Sequence, residues 1–396
     1  MPNDRSTPMS AEQLWETDDA CVEEDTRPWG HVTESAHTWW SAEGEAIELG
    51  RSALRDGAVR LRARGPLLEG LPVERSEIGT VHTRTMAERL DSAATRLRLD
   101  SFERRSRELV VGEAWCPDGV RTGMHPKTAV SLGSDRLGIS ARGRRTLLSE
   151  EPHSTIINGE SRVFLYPDSY PYTAVCKLYV SYLPEGSSSW QQTGEATGYL
   201  IGKNTMMTSG HVQPPGGRPW SIKVVPACWA GRSIFGAGLV TYVRETWSWN
   251  SDSGSDIQVC HLYDPVGERL GYFGYRGYDS DWQDLSVWVM AGFPYDRSLT
   301  SMSAQLGIAV RDDDDGDDIE VDGDAYDTTQ VESDADEASG ASGSPLFAWW
   351  DGSPYAIGVH HGVERDGTIS GTEIYSCASG GDGFTQAAHW ARGLWG

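Results

Sequence analysis

Three segments of the chain carry residue types that together can run nucleophilic acyl transfer. The first is Gly340-Ala-Ser-Gly-Ser-Pro345, a serine framed by glycines between an acidic stretch and the apolar run Leu346-Phe-Ala-Trp-Trp350. Small neighbours allow a tight turn that projects the Ser342 hydroxyl and leaves backbone N–H groups free to hold an oxyanion. Alone, the segment reads as a Ser/Gly turn between strands. The second runs from Gly198 into Thr208-Ser-Gly-His211 and offers His211 as a general base. The third, Ser255-Asp-Ile-Gln-Val-Cys-His-Leu262, sets Asp256 at the start of an alternating strand, where an aspartate is ordinarily a turn or cap residue.

Taken together the three gain meaning, because His211, Asp256 and Ser342 follow one another with gaps of 45 and 86 residues. That is the order of a catalytic triad in the chymotrypsin-like arrangement, and a two-barrel fold accommodates those gaps if one barrel supplies both His and Asp. Thr208-Ser-Gly-His211, Asp256-Ile-Gln-Val259 and Gly340-Ala-Ser-Gly-Ser-Pro345 resemble the three signature blocks of trypsin-like serine peptidases. Within that family the chain is most similar to the bacterial glutamyl-endopeptidase branch. Further matches are Ile156-Ile-Asn-Gly-Glu-Ser-Arg162, Tyr170-Pro-Tyr172, Ala291-Gly-Phe-Pro-Tyr-Asp296, Asp334-Ala-Asp336 and Ile357-Gly-Val-His-His-Gly362. The resemblance covers residues 155 to 396.

It implies a serine endopeptidase in which Ser342 attacks a peptide carbonyl, His211 takes and returns the proton, and Asp256 orients the imidazole. The N–H groups of Gly340 and Ser342 would form the oxyanion hole. Departures accompany the matches. Ala341 stands where trypsin-type zymogens carry an activating aspartate and where the branch usually has an amide, and Val212 stands where many relatives place a cysteine. For substrate selection His360 matches the histidine that meets an acidic side chain in glutamyl endopeptidases. Glu337 replaces a small hydroxyl residue of that pocket, and Asp336 occupies the position of trypsin's cation-binding carboxylate. The three leave the choice between acidic and basic substrates open. The alternative to an enzyme is a protease-fold binding protein that has lost catalysis.

The elements that must position these residues follow from texture. Short apolar runs broken by Gly, Ser, Asp and Pro, at residues 173–180, 197–201, 239–243, 257–262 and 285–290, predict an all-β fold. The family resemblance makes it two six-stranded antiparallel β-barrels. Phe384, Ala387, Ala388, Ala391 and Trp395 share one helical stripe and predict a C-terminal helix. Met86, Leu90, Ala93, Ala94 and Leu97 predict a helix within a partly helical N-terminal segment.

Charge divides the chain in the same place. Of 396 residues 34 are Lys or Arg and 58 Asp or Glu, a net charge of −24 that repels phosphate backbones and anionic lipid, so neither nucleic acid nor a membrane is an expected partner. Residues 49–150 are net +6 and residues 151–396 net −20. A linker at 142–152 marks the boundary, giving an accessory or pro-segment at 1–150 and a peptidase domain at 151–396. The basic segment is suited to covering the acidic domain in cis, as in a zymogen, and the expected intermolecular partner is a protein or peptide substrate. Six cysteines show no metal-binding spacing, so no cofactor or metal is expected, and the acidic run at 312–324 is the one candidate calcium loop, with Thr329 where an EF-hand needs Glu. The N-terminus has no basic-then-apolar signal segment, which makes the cytoplasm the default compartment, although the family is usually secreted.

Overall fold

The computed structural model describes residues 110–123 and 154–396, apart from 158–159, 188–189, 214–218, 250–253, 299 and 369–370, together with three short strands at 37–40, 46–49 and 81–83. The helix expected around 86–97 lies outside the described residues.

Six strands form the first barrel: β1 (Val175–Tyr182), β2 (Gln191–Leu200), β3 (Thr205–Thr208), β4 (Trp220–Pro226), β5 (Thr241–Trp249) and β6 (Ile257–Leu262). Their neighbour order is β6-β3-β2-β1-β4-β5, and β5 pairs back onto β6, so the sheet closes and leaves no barrel edge. The second barrel comprises β7 (Ser286–Gly292), β8 (Ser303–Asp315), β9 (Thr329–Ser333), β10 (Pro345–Trp350), β11 (Ser353–Thr368) and β12 (Gly371–Gly380). It runs β11-β10-β7-β8-β9-β12 and closes by pairing β11 with β12. These are two closed six-stranded antiparallel barrels, the chymotrypsin-like fold.

Strands buried along their whole length explain why the sequence shows apolar runs as well as alternation. Every residue of β3 and β10 is buried. One core joins Leu178, Val180, Ile222 and Val259 of the first barrel to Val289 and Phe347 of the second, with Phe273 of the connecting segment between them. A satellite cluster in the second barrel packs Trp282, Trp288 and Trp350, with the Arg276 guanidinium 4.9 Å and 4.3 Å from the Trp282 and Trp350 rings. The closing helix α1 (Gly381–Trp395) buries Phe384, Ala387, Ala388 and Ala391, an i, i+3, i+4, i+7 stripe, and reaches across to the first barrel, where Trp395 stacks on His261 at 5.2 Å.

The body of the fold begins before residue 150. Residues 110–123 lie along it as a strap: Gly112 exchanges both backbone hydrogen bonds with Tyr275, Trp115 does the same with Tyr272, and Tyr170 N–H donates to Arg121. Glu113 accepts a hydrogen bond from the Tyr355 hydroxyl at 2.6 Å, and its carbonyl accepts one from Arg392. A Cβ on Gly112 would sit 2.0 Å from the Tyr275 ring, so only glycine passes there.

The acidic run at 312–324 is built from strands. Asp312–Asp315 end β8, and Ile319–Val321 pairs with Asp324–Tyr326 as a hairpin.

Candidate active site

Register alone brings His211 to Asp256. Strand β6 pairs with β3 so that Gln258 faces Thr208, and two further steps set Asp256 across from Gly210. A Cβ on Gly210 would stand 1.8 Å from the Trp249 carbonyl oxygen, so glycine lets the two chains close at this end. Asp256 then takes both polar groups of His211: Oδ1 accepts the backbone N–H at 2.7 Å and Oδ2 lies 2.5 Å from Nδ1. A carboxylate only accepts, so Nδ1 carries the hydrogen and Nε2 is left with its lone pair. Asp256 is buried and its own N–H donates to Ser379 Oγ at 3.0 Å, whereas the His211 side chain is 41% exposed. The arrangement is a fixed base with one open edge.

Ser342 sits in a turn that two glycines make possible. Gly340 and Gly343 have φ of +94° and +88°, and Cβ atoms there would meet Phe293 O at 2.6 Å and Thr197 O at 2.0 Å. The turn is tied to the first barrel: Thr197 N–H donates to Ser342 O at 2.9 Å, and Thr197 Oγ1 donates to Gly340 O at 2.8 Å. Thr197 O in turn accepts from Thr208 Oγ1, three residues before His211. On its other side Gly343 N–H donates to His360 O, which also accepts from Ser209 Oγ. Bonds to Thr208 and Ser209 thus tie the Ser342 turn to the residues that immediately precede His211. Ser339 O accepts from Tyr295 N–H, and Ala341 O from Ser344 N–H. In a trans peptide the following N–H points the opposite way, so those of Gly340 and Ser342 face away from these bonds and have no protein acceptor among the described residues.

The three pocket candidates part company. Asp336 is fully buried and spent on structure: Oδ1 accepts from Ile157 N–H, while Oδ2 accepts from Ser161 N–H and Ser161 Oγ, all at 2.8 to 3.0 Å. The trypsin-like role expected from its position therefore has no free oxygen behind it. Glu337 and His360 face each other, Oε2 to Nε2 at 3.6 Å, and His360 Nδ1 lies 3.2 Å from Ser376 Oγ.

Two features escaped the sequence reading. His361 is half-buried near Asp256 and His211, with its Nε2 closed off, and desolvation pushes its imidazole down to about 4 against the pull of the Asp256 charge. Its neighbour in the His-His doublet matched the pocket histidine and drew attention away from it. The second feature is the set Glu332, Glu364 and Cys377, whose ligand atoms lie within 4.8 Å of one another. Burial first, then the Glu364 charge, pushes the Glu332 carboxyl up to about 7, while Gln330 Nε2 donates to both carboxylates. These residues lie on three different strands, and only pairing reveals them.

With this geometry in place, comparison with known proteins adds the following. No protein-family model matches the chain. An extracellular metalloprotease of Bacillus subtilis is 26% identical over 179 residues, 43% of this chain and 56% of that protein. A glutamyl endopeptidase of Bacillus licheniformis is 26% identical over 184 residues, 45% of this chain and 50% of that protein. The chain resembles the glutamyl-endopeptidase branch of the trypsin-like peptidases. It spans about half the length of these curated relatives, and both are named as proteases. Among solved structures, a Glu endopeptidase with bound MPD aligns over 60% of this chain and 100% of its own at TM-score 0.44 and 19% identity. A protease of M. tuberculosis in its active form aligns over 62% and 94% at TM-score 0.33 and 18% identity. Among the described residues no helix is long and apolar enough to cross a membrane.

Proposed function

We propose that the chain is a serine endopeptidase with His211, Asp256 and Ser342 as its triad. The observation that carries this reading is the pairing of both His211 polar groups with Asp256, while the Ser342 turn is tied through Thr197 and His360 to Thr208 and Ser209, just before the same histidine. In the first step Nε2 of His211 takes the Ser342 hydroxyl proton as Oγ bonds to the substrate carbonyl carbon. The carbonyl π electrons move onto oxygen, and the N–H groups of Gly340 and Ser342 hold that oxyanion. Removal of one such donor costs about 3 to 4 kcal/mol in a comparable enzyme, so the glycine turn is as much a part of the catalyst as the side chains. Collapse breaks the C–N bond, the imidazolium returns its proton to the leaving amine, and water repeats the sequence to release the acid. Asp256 stabilises the imidazolium and stays ionised throughout.

The substrate is a protein or peptide. The N-terminal segment is a pro-segment whose strap, residues 110–123, stays with the barrels after any cut in 124–153, because its backbone completes the edge at Tyr272 and Tyr275.

Intact-mass analysis after exposure to a fluorophosphonate tests this reading. One adduct on the wild type and none on Ser342→Ala is the expected result. No adduct on a folded wild type would favour the binding-protein alternative.

A further inference from the structure

Glu332, Glu364 and Cys377 meet on three neighbouring strands of the second barrel. On β12, Cys377 stands directly across from Glu332 of β9 on one side and from Gly362 of β11 on the other. Glu364 lies two residues beyond Gly362, so its side chain emerges on the same face of the sheet. One carboxylate oxygen of each Glu and the Cys377 Sγ lie within 4.8 Å of one another. Gly362 adds no side chain to this face, and a Cβ there would meet nothing within 4 Å among the described residues, which leaves space beside the three.

The face is closed off and negative. Glu332 is 2% exposed and Cys377 1%, and Glu364 is half-buried. The charges that bear on the thiol are those of Glu332, Glu364 and Glu337, and those that bear on Glu332 are Glu364 and Asp314. What offsets them is a neutral amide: Gln330 Nε2 donates to Glu332 Oε1 at 3.1 Å and to Glu364 Oε2. One oxygen of each carboxylate remains for another ligand. Two carboxylates brought together out of water are costly unless a cation answers them. We infer that Glu332, Glu364 and Cys377 form a zinc site, each glutamate giving one oxygen and Cys377 its thiolate, with the fourth position open to water. Sulfur beside two carboxylates favours zinc over calcium or magnesium, which surround themselves with about six oxygens or more. Tetrahedral zinc spaces its ligand atoms about 3.4 to 3.7 Å apart, so the three need close by little more than about 1 Å. Gln330 would then hold the outer oxygens, the place a supporting donor takes behind metal ligands. As sulfur's electron pair bonds the metal, the thiol proton passes to solvent and nothing is oxidised. Strand pairing makes this set, which is why cysteine spacing gave no expectation of a metal. The inference does not depend on the peptidase reading.

Cobalt and melting experiments on the full chain test it. After chelator treatment, Co²⁺ should raise a thiolate-to-cobalt charge-transfer band that Zn²⁺ then removes. Cys377→Ser should abolish the band, and Glu364→Gln should weaken Co²⁺ affinity by about tenfold or more. At pH 8, Zn²⁺ at about a hundred times its Kd should raise the wild-type melting temperature by about 5 to 10 °C. Glu332→Gln should melt above the wild type in chelator and gain little from Zn²⁺, so that zinc reverses their order and Ca²⁺ does not. A wild type with neither band nor zinc shift, a band that persists in Cys377→Ser, or an equal zinc shift in wild type and Glu364→Gln overturns the proposal. Should Cys377→Ser fail to fold, the two glutamate variants still decide.

Discussion

The two barrels contribute to the site in opposite conditions. In the first barrel's half Asp256 holds His211 with both oxygens and its own N–H is held by Ser379, while Gln258 Oε1, two residues on, is buried without a hydrogen bond. The second barrel's half is more open, with His360 Nε2, Ser303 Oγ and Ser344 Oγ buried without hydrogen bonds and Glu337 facing His360 across 3.6 Å. Farther along the same barrel Glu332 confronts Glu364. A proton relay needs one geometry at all times, and saturating its hydrogen bonds fixes that geometry. A surface that must take up a variable substrate has to keep valences in reserve, and the folded state bears their cost until it does.

Asp256→Asn would break this contrast most severely. The amide oxygen can still accept the His211 backbone N–H, so the fold should survive. The amide nitrogen would instead offer a proton to Nδ1, forcing the tautomer that places the hydrogen on Nε2, and Nε2 could then no longer act as base. We expect kcat/KM to fall about 10⁴-fold with little change in melting temperature, the size seen when a triad aspartate is so replaced. A loss below about tenfold would mean that Asp256 is structural and the saturated half is not the catalytic one.

Glu332→Gln tests the open half through stability. The folded-state carboxyl sits at about 7, above its ordinary 4.5, so the folded protein holds a proton that the unfolded chain has released between those values. Stability therefore falls as pH rises from about 4.5 to 7 and is flat above, a cost at pH 8 of at most about 3 kcal/mol. The glutamine keeps a partner for Gln330 and carries no charge. Its melting temperature should exceed the wild type's by several degrees at pH 8, with the gap closing towards pH 4. A variant less stable than wild type at pH 8 would show that the Glu332 charge is used rather than tolerated.

Legibility in the sequence followed the same division. His211, Asp256 and Ser342 stand beside glycines and small residues in local patterns, and the strands that carry them announce themselves by apolar runs. The all-β texture and the helical stripe of α1 are likewise readable, because burial on one or both faces dictates residue type, whereas closure into two barrels came only with the family resemblance. The fate of Asp336 was not, since its partners Ile157 and Ser161 lie 179 and 175 residues away and use backbone N–H groups that any residue provides. The strap had no signal either: residues 110–123 dock by backbone pairing and by a glycine under a tyrosine ring. Position in a family pattern located the pocket acids, but only their neighbours reveal which one is free.

The smallest expected effect concerns Ala341, in the Ser342 turn. Its side chain lines a cavity the size of about one water molecule, shared with Ser303 and Ser344, whose hydroxyls lack partners. Ala341→Ser adds a single oxygen that can bond one of those hydroxyls. A net gain of about 0.5 to 1.5 kcal/mol should follow, readable as a melting temperature raised by about 1 to 5 °C. Ala341→Asn adds three heavy atoms to a space that holds one. It should overpack and lower stability by about 1 to 3 kcal/mol, even though an amide is the residue type the family resemblance would place there. If both substitutions stabilise, the turn yields easily and its geometry is not held by Thr197 and His360. If neither does, the orphan hydroxyls are beyond the reach of residue 341, and the open valences of the second barrel belong to the substrate pocket alone.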